Sequence, residues 1–188
     1  MSSRRSILAA AVLLSAACIA HAGPREDVKA AMQKFINARS YHVTMSTSGP
    51  QAMTTEADFV APDRYRLQSP AGTQVIIGDT MHMTVQGRTM QVPMPKGTLT
   101  QWRDPGNLRK HEATMTVEAL GTEVVAGKPA KKYRLTNTRP QPGTSTLWVS
   151  ADGYPLQVRA TSNAQGKPVT VTIRYSRFND PTLKIAAP

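Results

Sequence analysis

The 188-residue chain contains little cysteine, few aromatic residues and few acidic ones. Its single cysteine excludes a disulfide framework and cysteine-ligated zinc or iron–sulfur sites, because these require several thiols at set spacings. Two Trp, five Tyr and three Phe are scattered without the spacing of a base-stacking surface, which argues against nucleic-acid binding. Lys and Arg total 23 against 12 Asp and Glu, so the formal net charge is +11 and anionic partners are expected.

The sequence also lacks the motifs of the common hydrolases and nucleotide-binding proteins. It contains no Gly-x-Ser-x-Gly nucleophile turn, no His-Glu-x-x-His metal motif and no glycine-rich phosphate loop. Three aspartates that could act as acid or base each adjoin Gly or Pro, where aspartate typically forms turns: Asp79, Asp104 and Asp152. We therefore expect a protein without enzymatic activity and without a cofactor.

One short motif combines two thioethers with an imidazole, in Met81, His82 and Met83. Such ligands suit copper(I), which is a soft ion. If the segment is a strand, however, its side chains alternate between the two faces, so His82 points away from both methionines. The sequence therefore predicts no metal site.

Residues 1–22 have the layout of a secretory signal peptide. Two arginines precede an apolar run, residues 7–20, of about 14 residues, which is shorter than the roughly 20 needed to span a bilayer. Cleavage is expected between Ala22 and Gly23, which leaves residues 23–188 as a single domain. The arginine pair would also fit a twin-arginine signal, so both export routes stay open. We expect a periplasmic location.

The only cysteine lies inside this segment. Cys18 follows Leu-Ser-Ala-Ala, which resembles a relaxed lipobox, so a lipid anchor on Cys18 is the alternative to its removal with the signal. Outside the cytoplasm a basic protein meets anionic lipid headgroups and envelope proteins, and little nucleic acid. We therefore expect its positive charge to face an anionic membrane surface or envelope proteins.

After the signal, the hydrophobic periodicity changes once. Residues 24–39 carry one apolar stripe at helical spacing, and Glu26 and Asp27 suit the positive end of a helix dipole. From Tyr41 onward, apolar and polar residues alternate between turn signals, which predicts about eleven short strands in a barrel or sandwich. The apolar run 75–77 is expected to be buried on both sides.

A predicted hairpin around Gln86-Gly87 is rich in methionine. Alternation brings its apolar side chains to one face: Met81, Met83 and Val85 before the turn, and Met90, Val92 and Met94 after it. Methionine is flexible and polarizable, which suits either an apolar ligand of variable shape or an irregular core. Pro93 and Pro95 cannot donate ladder hydrogen bonds, so the second strand should lie at a sheet edge.

Residues 96–113 show no strand alternation and contain Pro105-Gly106. We interpret them as a long loop or a short-helix lid, whose apolar side chains would be Leu99, Trp102 and Leu108. No other segment of the mature sequence offers a candidate lid.

Three stretches carry a family resemblance: residues 59–66 (FVAPDRYR), residues 117–135, which contain Leu120-Gly121 and Tyr133, and residues 147–156 (LWVSADGYPL). They resemble the superfamily of periplasmic outer-membrane lipoprotein carriers and insertases, together with related lipid-carrying lipoproteins. The resemblance implies a half-barrel, which is a half-open antiparallel barrel draped over helices. The carriers have several helices, whereas this sequence predicts one, so we expect an α+β fold, mainly antiparallel β, in which an incomplete barrel of about eleven strands packs over one N-terminal amphipathic helix. The resemblance also implies an apolar concave face that receives acyl chains or an apolar segment of a partner.

That concave face would be lined by nine residues of the predicted strands: Met45, Phe59, Tyr65, Met81, Met83, Val85, Met90, Val92 and Met94. The expected function is that of a monomeric, non-enzymatic envelope protein that holds a lipid, a lipoprotein acyl chain or another apolar ligand. The alternative is a protein-interaction or envelope-sensing module that binds a polypeptide with the same sheet or with a free edge strand.

Overall fold

The computed structural model describes residues 23–49, 52–85, 88–99, 103, 104, 106, 114–138, 142–164 and 166–188. Three sequence predictions lie outside these residues: the signal segment up to Ala22, the lipidation site Cys18, and the lid positions Trp102 and Leu108. For Val85 and Ala164 only the backbone is described.

The α-helix α1 spans Pro24–Asn37. Proline suits its first turn, where the amide hydrogen has no partner inside the helix, and Glu26 and Asp27 lie near the positive end of the dipole. The helix ends slightly before the predicted boundary because Ala38 adopts an extended conformation with ψ of 135°. Among the described residues we find no apolar helix of membrane-spanning length.

Among the residues that the structure describes, eleven β-strands follow the helix, in agreement with the predicted number. They are β1 (Ser40–Thr47), β2 (Met53–Val60), β3 (Arg64–Ser69), β4 (Gly72–Ile77), β5 (Thr80–Val85), β6 (Arg88–Pro93), β7 (Met115–Val125), β8 (Lys128–Asn137), β9 (Gly143–Ser150), β10 (Pro155–Ala164) and β11 (Lys167–Ser176). The register between β7 and β8 shifts between Ala119 and Thr122, where Gly121 has a φ of +91°. This β-bulge lies at Leu120-Gly121, where glycine adopts the positive φ without a steric penalty.

All eleven strands form one antiparallel sheet in the order β6-β5-β4-β3-β2-β1-β11-β10-β9-β8-β7. The strands β1 to β6 and β7 to β11 form two meanders of sequential neighbours, which join where β1 pairs with β11. Strands β6 and β7 are the two edges, so the sheet is open, as in an incomplete barrel. The edge position of β6 agrees with the prediction from its prolines.

Helix α1 packs on one face of the sheet, which we call the inner face. Its buried Val28 and Ala31 form one cluster with buried side chains of β8 and β9: Tyr133, Leu135, Leu147 and Val149. The Tyr133 hydroxyl and the Lys131 ammonium both donate to the Asp27 carboxylate, at 2.6 and 2.8 Å. These contacts anchor the helix over the half of the sheet that ends at β7.

A second cluster links the C-terminal end of α1 to the middle of the sheet. It consists of buried Ala38, Tyr41 and Phe59, with Phe35, Val43, Tyr65 and Phe178 packed against them. The ring centroids of Tyr41 and Phe59 are 4.9 Å apart, and those of Phe59 and Tyr65 are 5.0 Å apart. Aromatic packing therefore continues from the helix across β1 and β2 to β3.

The opposite face of the sheet, which we call the outer face, carries a third cluster. Trp148 is buried there with Val125 and Ala130, and the partly buried Leu156 packs against them. The C-terminal tail also packs on the outer face: Leu183 and Ile185 are buried, and the Arg64 guanidinium donates to the Ile185 carbonyl at 2.8 Å. Both faces of the sheet thus contain packed side chains.

Candidate functional site

The register of the sheet gathers the predicted groove residues on the inner face. Residues directly opposite each other in an antiparallel ladder share a face. Three such pairs consist of predicted groove residues: Phe59 with Tyr65, Met81 with Val92, and Met83 with Met90. Ile76 connects them, because it lies opposite Tyr65 on one side and opposite Met81 on the other.

Much of this face is apolar and open to solvent. Four large hydrophobic side chains on it are exposed: Met45 at 37%, Met53 at 46%, Met90 at 50% and Val92 at 40%. Met45 lies four residues after Tyr41 on β1, so it shares the face of Tyr41 and of Phe59, the residue opposite Tyr41. Met53 lies opposite Thr47, which is two residues after Met45, so Met53 is on the same face. Among the described residues, the other large hydrophobic side chain that is comparably exposed is Val124 on β7.

We call the four exposed residues, together with the half-buried Met81 and Met83, the apolar inner surface. Its members lie on β1, β2, β5 and β6. The buried clusters beneath α1 contain side chains of β8 and β9 and, from β1 and β2, Tyr41 and Phe59. The helix therefore covers one part of the inner face and leaves methionines uncovered elsewhere on it. The predicted groove residue Val85 has no described side chain.

Phe59 and Tyr65 occupy a different environment from the methionines. Phe59 is 1% exposed, and the guanidinium carbon of Arg103 lies 3.8 Å from its ring centroid. The same guanidinium donates through Nη2 to the carbonyls of Ile36 and Ala38, the latter at 2.9 Å. Phe59 is thus packed between its neighbours and a cation, and Arg103 satisfies carbonyls that the end of the helix leaves unpaired.

Sequence reasoning missed Arg103. The residue lies within the predicted lid, residues 96–113, next to Asp104. An arginine before an Asp-Pro-Gly turn carries no signal of where its side chain goes, since its partners are carbonyls more than 60 residues earlier in the chain. Its Nη1 atom is buried and has no hydrogen-bond partner among the described residues.

The tyrosines of the inner face contribute hydroxyl groups and no negative charge. Burial raises the pKa of Tyr41, and the nearby Arg103 guanidinium only partly opposes this shift. Burial also raises the pKa of Tyr65, and it raises the pKa of Tyr175 to about 12. These phenols therefore stay neutral at physiological pH, which keeps this part of the face compatible with apolar groups.

A small cavity adjoins the inner face at the ends of β3 and β6. It has a volume of about 130 Å³, and three predicted residues line it, Tyr65, Met94 and Leu99, together with Asp63, Gly78 and Asp79. Pockets that enclose drug-sized ligands usually have volumes from about 300 Å³ upward. This cavity can therefore accommodate only a small part of an acyl chain, and a longer ligand would have to lie along the open sheet.

The Met-His-Met motif does not converge on one point. Met81 lies opposite Ile76 and Met83 opposite Met90, both on the inner face, whereas His82 lies opposite Val75 and Gln91 on the outer face. Among the described residues, no group of His, Cys, Asp and Glu has a metal-binding arrangement.

Comparison with known proteins identifies the fold. No family model and no curated protein sequence matches the chain. Among solved structures, the lipoprotein LppX of Mycobacterium tuberculosis is similar with a TM-score of 0.64 at 14% identity, over 85% of this chain and 96% of that one. LprF of Mycobacterium bovis is similar with a TM-score of 0.65 at 12% identity, over 88% of this chain and 96% of that one.

A LolA superfamily protein from Nitrosomonas europaea is also matched, over 86% of this chain and 95% of that one, at 10% identity. Its TM-score of 0.32 is too low to support an argument. The two mycobacterial proteins are similar over nearly their whole length, and at these identities the likeness shows the fold alone. The half-barrel fold that the sequence resemblance implied is confirmed.

Proposed function

We propose, from the half-barrel fold shared with LppX and LprF, that this chain is a non-enzymatic envelope protein that binds an apolar ligand on its inner face. The ligand class is a lipid or the acyl chain of a lipoprotein. The main support for the proposal is the apolar inner surface. It contains four of the five large hydrophobic side chains that are exposed among the described residues. Scattered single exposed hydrophobics are ordinary on protein surfaces, but their concentration on one face of a sheet indicates a binding surface.

The energetics favour such a role. Keeping an acyl chain in water costs about 0.8 kcal/mol for each exposed CH₂ group, so covering even part of the chain gives a substantial gain. Methionine side chains adapt to ligands of different shape because they are unbranched and rotate about three bonds. Met81, Met83 and Met90 lie next to one another across β5 and β6, so they provide a continuous adaptable patch.

The proposed location is the periplasm, reached through the predicted signal peptide, with an anionic membrane surface as the setting. The surplus of Lys and Arg over acidic residues suits such a surface. We propose that the protein acts as a monomer, with the inner face free to receive its ligand.

Lipid binding can be tested on the exported protein, purified from the envelope without detergent. Native mass spectrometry should show a population with bound lipid, and a fluorescent fatty acid should bind and be displaced by unlabelled lipid. Met90→Lys places a charge on the inner face and should weaken probe binding by about tenfold or more, because the ammonium must be buried against hydrocarbon.

Gln91→Lys is the matched control, because Gln91 is exposed on the same strand and lies on the outer face opposite His82. It adds the same charge and should leave probe binding unchanged. A protein that carries no lipid and binds no fatty-acid probe would overturn the proposal, and so would equal effects of the two lysines.

A second candidate function is the recognition of a polypeptide. It is favoured by β6, an edge strand whose six residues are all exposed, because a free edge can accept an extended segment as an additional strand. In that case unfolded polypeptide, and not lipid, should protect the β6 amides from hydrogen exchange. Protection by the fatty-acid probe alone would exclude this alternative.

A further inference from the structure

The outer face of β8 to β11 carries a row of polar and charged side chains across neighbouring strands. Lys132 lies opposite Trp148, Trp148 opposite Gln157, and Gln157 opposite Arg174. Because opposite residues share a face, these four side chains stand side by side on the outer face. They face away from α1 and from the apolar inner surface.

The acidic group beside this row is Glu123 on β7, and it makes two contacts with the row. Glu123 accepts from the Lys132 ammonium at 2.8 Å and from the Trp148 indole nitrogen at 3.1 Å. These two hydrogen bonds lower the pKa of Glu123, and the charges of Lys132 and Arg159 lower it further, so Glu123 is ionised. The buried indole ring is held in a fixed orientation by the same contact.

Two arginines next to this pair have no acidic partner within ion-pair distance among the described residues: Arg159 and Arg174. The Arg159 guanidinium lies 5.3 Å from the centroid of the Trp148 ring. Arg174 donates through Nε to the side-chain oxygen of buried Gln157 at 3.1 Å, which orients its guanidinium. The arginines are therefore positioned by a buried tryptophan and a buried glutamine. Arg159 also lies near enough to Glu123 for its charge to lower the pKa of that carboxyl, but neither arginine forms an ion pair among the described residues.

The two guanidinium groups border one groove. Arg159 lies opposite Thr172, two residues before Arg174 on β11, so the arginines are diagonal neighbours on one face. Such neighbours are about 7–8 Å apart at the backbone, which lets two long side chains converge on one ligand. Both line a groove of about 420 Å³, together with Glu123 and Gln157.

We infer that this groove is a binding site for a phosphate group. A phosphate presents several oxygens in a tetrahedral arrangement, and two planar guanidinium groups can each donate a pair of hydrogen bonds to it. A carboxylate is satisfied by one guanidinium, so two converging arginines suit phosphate better. The phosphate can belong to a phospholipid headgroup or to a soluble phosphate compound, and the experiment below separates these sources.

The site is independent of the apolar ligand site, because it lies on the opposite face of the sheet. A wild-type protein that binds the fatty-acid probe, but neither inorganic phosphate nor phosphatidylglycerol vesicles, would refute the phosphate site alone. The reverse result would refute the apolar site alone.

The first measurement is the binding of inorganic phosphate, by calorimetry. The second is binding to vesicles of phosphatidylcholine with and without about one third phosphatidylglycerol. Both use low ionic strength, where surface charge is least screened. The purified protein should bind inorganic phosphate if the source is soluble, and phosphatidylglycerol vesicles in preference to pure phosphatidylcholine if it is a headgroup. Arg159→Gln with Arg174→Gln should weaken whichever binding occurs by about tenfold or more, because charge-assisted hydrogen bonds are lost.

Lys29→Gln with Lys167→Gln is the matched control. Both lysines are exposed, one on α1 and one at the start of β11, and their loss lowers the net charge equally. Equal weakening by the two double variants would show that net charge alone drives binding and would overturn the site. Absence of binding in both the phosphate and the vesicle arms would overturn it as well.

Folding of the variants is checked by thermal unfolding, and Arg159→Gln alone serves as a second variant because Arg159 is exposed.

Trp148 supplies a further readout. In a Trp102→Phe background it is the only tryptophan, and ligand binding at Arg159 should change its emission. A variant that folds normally and retains full binding would contradict the assignment.

Discussion

Arg103 lies against Phe59, with its guanidinium carbon 3.8 Å from the centroid of the phenylalanine ring. The same side chain donates to the carbonyls of Ile36 and Ala38 at the end of α1. One arginine from the segment between β6 and β7 thus joins the helix terminus to the aromatic cluster of the sheet. This contact ties the first half of the chain to the connection that leads into the second half.

We predict that Arg103→Gln lowers the free energy of unfolding by about 2 kcal/mol, since it removes charged hydrogen bonds to two carbonyls and a cation–π contact. Urea denaturation followed by circular dichroism measures the change. Arg88→Gln on exposed β6 is the control and should leave stability nearly unchanged. If both substitutions have the same small effect, Arg103 does not stabilise the end of the helix.

The hydrogen bond between Tyr133 and Asp27 joins the helix to β8. Tyr133→Phe should lower the free energy of unfolding by about 2 kcal/mol, because a bond to a charged acceptor is lost and the ring remains. Tyr154→Phe is a suitable comparison, since the Tyr154 hydroxyl accepts only from the exposed Asn179 amide among the hydrogen bonds described. Denaturation midpoints that do not separate the two variants would contradict this assignment.

Stability should fall in alkali as buried tyrosines ionise. Burial raises the pKa of Tyr175 to about 12, whereas an unfolded tyrosine has a pKa of about 10. The unfolded chain therefore releases this proton first, so the contribution is complete below about pH 10 and is lost as the pH rises toward 12.

Tyr175→Phe should make the decline in the free energy of unfolding between pH 10 and 12 less steep, because phenylalanine keeps the packed ring but has no hydroxyl proton to lose. Urea denaturation at pH 8 and at pH 11 measures the difference, and absorbance of phenolate near 295 nm follows the ionisation. A wild-type protein whose stability is flat across this range would show that its buried phenols ionise as readily as exposed ones.

The C-terminal tail should contribute to stability through two buried side chains. Ile185→Ala removes packing on the outer face and should cost about 2 kcal/mol, because Ile185 is buried and Arg64 holds its carbonyl. Lys184→Ala, at the exposed position before it, should cost far less. Equal thermal midpoints for these variants would indicate that the tail does not pack on the sheet.

Much of the local structure follows from sequence patterns. Alternation from Tyr41 onward predicts the strands, and Pro93 predicts the edge position of β6. These features depend on properties of single residues or near neighbours, such as a missing amide hydrogen or the period of side-chain orientation. They can therefore be read without knowledge of distant contacts.

The candidate site can be predicted only in part from such sequence patterns. Alternation places Met81, Met83, Met90 and Val92 on one face of a hairpin, and the register confirms that they share it. It does not distinguish Phe59, which is packed under Arg103, from Met90, which is half exposed. That difference depends on which surfaces the helix and the connecting segment cover.

The sequence by itself determines which residues can share a face, because side-chain direction along a strand repeats with a period of two residues. It also indicates where turn residues interrupt the strands. Only the tertiary structure decides that β1 pairs with β11, that Arg103 reaches the end of α1, and that Arg159 and Arg174 stand together on the outer face. Each of these contacts joins residues that periodicity does not relate, because they come from different strands or from distant parts of the chain. Their geometry is set by the order of the strands in the open sheet and by the packing of that sheet against one helix.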